Sequence, residues 1–336
     1  MNRVIDVHAH LLPRSAIEAA EAGNEWFGSS IEKDDLGRPV IVTGDRREGM
    51  GGKAHFVTID RRLEQMDEMG VDLQVLSLNP IFFRHYLDAK NGVAASMAVN
   101  DEIVSYIERW PSRFAGFGAL PMQDPHLAIA ELERVMSIDG MVGACVGTHV
   151  DGANWDEPHL FPILEAAEEL GALMFFHPSD RRLESHLPRY HLHNSIANPT
   201  ETTIAIASII HGGVVDRLPD LNMLFAHGGG YACCGAARFD HGYTVRSEAR
   251  EHASRLPSTY LNHLWYDSLV YSYDLLRRLV DVVGVDRVML GTDFPADMGQ
   301  QEPVAWIQGS DLTDEERSAV LGGNAAGLLG LSAERL

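Results

Sequence analysis

Val4-Ile5-Asp6-Val7-His8-Ala9-His10 begins as a β-branched run and ends in two histidines spaced two apart. An extended segment sends alternate side chains to opposite faces, so His8 and His10 leave on one face and can converge while Ala9 points away. Seven more short aliphatic runs follow, each giving way to polar or Gly/Pro positions and then to a stretch of helical period. They are Leu73 to Leu76, Phe114 to Ala119, Val142 to Val146, Leu173 to Phe176, Met223 to Ala226, Leu264 to Tyr266 and Val288 to Leu290. Helical patterns alternate with them at Arg61 to Met69, Val93 to Arg109, Leu127 to Val135, Leu160 to Leu170, Thr202 to Ile210 and Tyr273 to Val283. Eight alternations of this kind predict an α/β fold, a (β/α)8 TIM barrel.

The polar residues fall in one place. His8 and His10, Thr148 and His149, His177, His227, Asp267 and Asp293 all lie at or just past the C-terminal end of a predicted strand. In this fold that rim is the active-site face. His126, His159, His186 and His252 sit in polar stretches and read as surface residues.

One stretch breaks the repeat. Between the first strand and the helix at Arg61, residues of about 12–58 are too many for a simple connection. Ser30 to Asp45 reads as two short strands around Leu36-Gly37-Arg38-Pro39, which makes this a small β insertion over the active site. Residues 1–336 otherwise read as a single catalytic barrel, and the helical pattern from Thr313 onward is expected to pack outside it.

The formal charge of -21 speaks against nucleic acid or an anionic membrane as partner, since both need a basic footprint. A small anionic substrate stays compatible if local arginines offset the field. The sequence offers no signal-peptide pattern at residues 1–12 and no apolar run of membrane-spanning length. Its three cysteines, Cys145, Cys233 and Cys234, form no disulfide framework. The expectation is a cytoplasmic protein.

With His177 and Asp293, the pair His8 and His10 makes a three-nitrogen, one-carboxylate set suited to Zn²⁺, and the ligand types equally permit Mn²⁺ or Co²⁺. The alternative is that each histidine only caps its strand. His227 precedes Gly228-Gly229-Gly230, which removes side chains from the approach to the metal. It reads either as the acid/base beside the ion or as a further ligand in a tight turn.

The motifs IDVHAH from Ile5, FAGFGALPMQDPHLA from Phe114, GTHV from Gly147, FFHP from Phe175, PTETTIAIASII from Pro199, FAHGGG from Phe225 and VMLGTDFP from Val288 are ordered along the chain. In them the sequence resembles the amidohydrolase superfamily, in the branch of 2-amino-3-carboxymuconate-6-semialdehyde decarboxylase and related nonoxidative decarboxylases. The resemblance implies a zinc-dependent carboxy-lyase acting on an aromatic or unsaturated carboxylic acid. His8, His10, His177 and Asp293 would be the ligands, and His227 the base that activates zinc-bound water. It also implies a homodimer in which Arg238 enters the neighbouring site and binds a substrate carboxylate. Ser179 and Ala296 stand where the family decarboxylase carries Trp and Phe, so the pocket wall differs. A second substrate arginine would come from the insertion, where Arg46, Arg47 and Lys53 are candidates and Arg47 is taken.

Two other functions compete. The same site would serve a hydrolase or hydratase of a cyclic or unsaturated carboxylate. A noncatalytic barrel would be expected to have lost a ligand, and this chain retains all four.

Overall fold

The computed structural model describes residues 3–44, 46–49, 57–83, 85–179, 182–183, 187, 189–332 and 335. Its strands are β1 (Ile5–Leu11), β2 (Ser30–Lys33), β3 (Pro39–Thr43), β4 (Arg46–Gly49), β5 (Leu73–Leu78), β6 (Phe114–Ala119), β7 (Met141–Gly147), β8 (Leu173–His177), β9 (Met223–Phe225), β10 (Trp265–Asp267) and β11 (Val288–Met289). β1 and β5 through β11 form one parallel sheet in chain order. The sheet curls until its edges meet. Val7 N–H donates to the Leu290 carbonyl at 2.9 Å and Asp293 N–H to the His8 carbonyl at 2.8 Å. The predicted (β/α)8 barrel is therefore present, with its seam between β1 and the segment after β11.

Each of the eight barrel strands is wholly buried, which explains why the sequence shows continuous aliphatic runs and not strict alternation. Ile5, Val7, Val75, Phe117, Phe175 and Leu224 fill the barrel interior. At roughly 1.5–3 kcal/mol per fully buried large apolar side chain, this lining is a principal source of stability. Ala325 and Leu329 belong to the same cluster. The C-terminal segment was expected outside the barrel; instead it reaches its interior, and Leu290 N–H donates to the Val320 carbonyl at 2.9 Å. Small and aliphatic residues at 325 and 329 can enter the apolar lining, which a solvent-facing helix would not do.

Helix boundaries follow local signals. The helix Ile59–Met69 starts at Thr58, whose side chain accepts from Arg61 N–H, and stops at Gly70 in the left-handed region. The helix Tyr273–Val283 has the bounds read from its periodicity. The insertion holds one strand more than expected, since β4 pairs antiparallel with β3 and places Arg47 opposite Val42. Arg46-Arg47-Glu48-Gly49 has no alternating apolar residue to reveal it. Among the described residues no helix is long and apolar enough to cross a membrane.

Candidate metal centre

β1 delivers His8 and His10 to the rim, β8 ends on His177, and the turn after β11 carries Asp293 with a left-handed φ of 57°. The four side chains are buried, and one ligand atom from each can be chosen so that all lie within 4.8 Å of one another. A single ion with ligand distances of ~2.0–2.2 Å spans a set of about that width.

The outer hydrogen bonds fix which nitrogen faces inward. His8 Nδ1 is 2.6 Å from Asp267 Oδ2, His10 Nδ1 is 3.0 Å from Ser77 Oγ, and His177 Nδ1 is 2.8 Å from the Pro178 carbonyl. Ser77 Oγ in turn donates to the Ala9 carbonyl at 3.1 Å, so it is placed to accept from His10. With each Nδ1–H directed outward, three Nε2 lone pairs converge. His177 Nε2 is buried and has no hydrogen-bond partner among the described residues. Such an orphan in a buried site is the signature of a missing electrophile. The residues present thus fit a divalent cation.

Electrostatics agree. Burial disfavours charge on His8, yet the Asp293 and Asp267 carboxylates beside it raise its pKa to about 10 in the chain alone. Burial likewise opposes ionisation of Asp293, but the surrounding His8, His10 and His227 rings hold its carboxyl well below the ordinary range. His177 goes the other way, driven well below its usual value by burial and by the neighbouring imidazoles, which leaves it neutral and able to donate a lone pair. Where a cation would sit, the cluster offers the ionised Asp293 carboxylate and the bare His177 nitrogen, and the ion would take the place of the proton that the carboxylates draw onto His8.

His227 stands beside this set. Its Nε2 is 3.7 Å from Asp293 Oδ2, its ring centre 5.1 Å from that of His177, and its Nδ1 is buried without a partner among the described residues. The Asp267 carboxylate holds the turn by accepting from the backbone N–H groups of His227 at 2.9 Å and Gly228 at 2.8 Å. The three glycines have a packing reason that differs from the expected open approach. All have positive φ, and a Cβ would come within 2.3 Å of Val270 at Gly228, 2.6 Å of Tyr266 at Gly229 and 2.1 Å of the Pro199 carbonyl at Gly230. No other residue allows the chain to turn so tightly against its neighbours.

Other support was not evident from residue types. Asp6, buried among apolar residues, accepts from His8 N–H, Gln74, Thr292 N–H and the Thr292 hydroxyl. Arg62 donates to Gln74 at 2.9 Å and to the His10 carbonyl. This network ties the two sides of the seam together. A buried Asp in an alternating strand was its one visible signal.

Two cavities meet at the cluster. One, of about 190 Å³, is lined by His10, His177, His227 and Asp293 together with Ser179 and Ala296, and Gly49 of the insertion also borders it. Ser179 Oγ is buried and has no partner among the described residues. The other, of about 380 Å³, shares His227, Asp293, Asn194, Asn198 and Met298 with the first. The remaining candidates lie elsewhere. Arg238 is exposed on the helix Ala232–Val245, and Arg47 is exposed and paired with Glu32 at 3.0 Å. Neither borders either of these two cavities. Lys53 and the side chain of Arg46 lie outside the described residues. His149 is buried 3.9 Å from Glu201, away from the cluster, and Thr148 N–H donates to the His177 carbonyl.

A profile of the family described as amidohydrolase matches residues 5–331. The chain belongs to the amidohydrolase family. It is 36% identical over 332 residues to a 2-amino-3-carboxymuconate-6-semialdehyde decarboxylase of Dictyostelium discoideum, covering 97% of this chain and 91% of that one. A gamma-resorcylate decarboxylase of a Polaromonas species is 28% identical over 81% of this chain and 87% of its own length. The crystal structure of 5-carboxyvanillate decarboxylase from Sphingomonas paucimobilis superposes with a TM-score of 0.83 at 25% identity, covering 99% of this chain and 100% of that one. The expected class, a carboxy-lyase of the amidohydrolase superfamily, is the class of these relatives.

Proposed function

We propose that this protein is a divalent-metal-dependent nonoxidative decarboxylase of an aromatic or unsaturated carboxylic acid. The observation that carries the reading is the convergence of three Nε2 atoms and the Asp293 carboxylate beside a histidine, His227, that has room to exchange a proton with a ligand in the cavity. Zn²⁺ is the metal favoured by the resemblance, and Mn²⁺ or Co²⁺ suits the same ligand types. When bound by His8, His10, His177 and Asp293, the ion supplies Lewis acidity toward substrate oxygen and toward water.

The chain's own groups then have separate tasks. The Ser179 hydroxyl, buried and unpartnered among the described residues, offers a hydrogen bond to substrate, and Ala296 borders the same cavity. His227 passes a proton to the ring or alkene carbon that bears the carboxylate. The C–C bond then breaks, its electron pair restores the unsaturation, and CO₂ leaves; the net reaction takes up one proton. By family resemblance we further assign a cytoplasmic homodimer, one catalytic unit per chain, with Arg238 reaching the partner's site to hold a substrate carboxylate.

Metal-replete protein incubated with a panel of aromatic and unsaturated carboxylates tests this directly. CO₂ release with loss of the carboxyl group is the expected result. A product heavier by one water and no CO₂ would make the protein a hydrolase or hydratase instead, since that chemistry can start from the same site.

A further inference from the structure

Two arginines are buried among the described residues, and they differ in what holds them. Arg335 lies beside the starts of β6 and β7, bonded to the Pro111 carbonyl at 3.1 Å and to the Asp139 carboxylate at 2.7 Å. Arg62, only 3% exposed, lies behind the rim and has no carboxylate partner among the described residues. Its neighbour Arg61 is exposed and bound to Glu64 and Glu68. Taking a guanidinium out of water without an ion partner is costly, so the groups that surround Arg62 are informative.

Three groups stand in for that partner. Arg62 donates to the His10 carbonyl, its guanidinium carbon is 4.7 Å from the centre of the Phe294 ring, and its Nη1 donates to Gln74 Oε1 at 2.9 Å. Gln74, fully buried on β5, continues the chain of bonds, because its Nε2 donates to Asp6 Oδ2 at 3.0 Å. Asp6 accepts in turn from His8 N–H and Thr292 N–H, each at 3.1 Å, and from the Thr292 hydroxyl at 2.6 Å. The amide is thus a spacer between a buried cation and a buried anion. The two ends of this relay grip the backbone at His8 and His10 and, at Thr292 and Phe294, both neighbours of Asp293. His177 stands outside it, since its Nδ1 bonds only the carbonyl of the next residue, Pro178.

We infer that Arg62 is a positioning residue for the metal centre: through Gln74 and Asp6 it holds His8, His10 and Asp293 as one unit, while His177 is aimed independently. This rests on the metal reading of the site and not on decarboxylation. A planar fork that bonds a carbonyl and an amide oxygen at once suits the task, which a single ammonium fills only in part. β1 and the segment after β11 meet at the seam, so cutting the relay frees the two sides to shift against each other, and the ligand angles change with them.

Cobalt-loaded protein provides the test, because the visible bands of Co²⁺ report how its ligands are arranged and competition with a chelator reports affinity. Arg62→Met should weaken cobalt binding by ~10- to 100-fold, the usual range for a change behind the ligands, and shift the bands. Arg62→Lys should restore part of both. Gln74→Leu, which keeps the cation but cuts the relay, should behave as Arg62→Met does. Arg335→Met is the control for stability alone: it should lower the unfolding temperature of the metal-free protein and leave cobalt affinity and bands unchanged. Wild-type affinity and bands in Arg62→Met would overturn the inference. So would an Arg335→Met that weakens cobalt binding equally, because the effect would then be a general loss of stability. Should Arg62→Met not fold, Arg62→Lys decides by the same two readings, an intermediate shift supporting the inference and wild-type values overturning it. A wild type that takes up no cobalt would remove the metal reading itself, whereas uptake with unmoved variants would remove this inference alone.

Discussion

On one side of Asp293 stand three imidazoles whose outer nitrogens are already engaged, by Asp267, Ser77 and the Pro178 carbonyl. On the other side lie two cavities whose walls come from loops and helix starts, with Ser179 unpartnered among the described residues. The first region is over-determined: each ligand is aimed by a second residue, and that residue is itself satisfied. The second is open to a guest. A site built this way fixes its chemistry on strands and leaves selectivity to side chains that can change without disturbing the metal.

That contrast can be broken from either side. The largest effect is expected for His177→Ala, which removes one of four ligands: metal content by elemental analysis should fall to background and turnover with it. In the wild type, loading should weaken as pH falls through about 10, the value to which the Asp293 and Asp267 carboxylates raise His8, because a proton on its ring competes with the ion for the Nε2 lone pair. Metal retained in full by the variant would mean that the cluster is not the binding site. Next comes His227→Asn, which should keep its metal and lose ~10²- to 10⁴-fold in turnover, the usual cost of removing a general acid/base. If the metal leaves too, His227 is a ligand and belongs to the over-determined side.

Asp267→Asn probes the support of the ligands. It should lower metal affinity by ~10- to 100-fold, as outer-sphere changes typically do, measured by competition with a chelator. An unchanged affinity would show that backbone geometry alone aims His8. The smallest effect belongs to Ser179→Ala, expected to raise KM by up to about tenfold, one hydrogen bond to a charged group, with metal content constant. A fall in kcat at constant KM would place Ser179 in the chemical step and blur the division between the two regions.

The same division governs what could be read in advance. Barrel strands and ligands were legible because buried parallel strands leave continuous aliphatic runs, and because β1, β8 and β11 are each followed or ended by a ligand-type residue. Asp267 was visible at its strand end, but its bond to His8 was not, since the two are 259 positions apart. β4 was missed because Arg46 to Gly49 lacks alternation, and its pairing comes from β3. The entry of Ala325 and Leu329 into the barrel depends on which space the strands leave empty, a property of the assembled cylinder.

The seam where β1 meets the segment after β11 also dictates an order of events during synthesis. Asp6 and Thr292, bonded to each other, are 286 positions apart, and the ligands His8 and Asp293 flank them. A nascent chain carries its first two metal ligands through nearly the whole of translation before the last one emerges. Capture of the ion in the complete four-residue set must therefore follow closure of the cylinder. Once bound, the ion acts as a clasp across the long loop from His8 to Asp293, and cross-links that close long loops restrain the unfolded chain strongly.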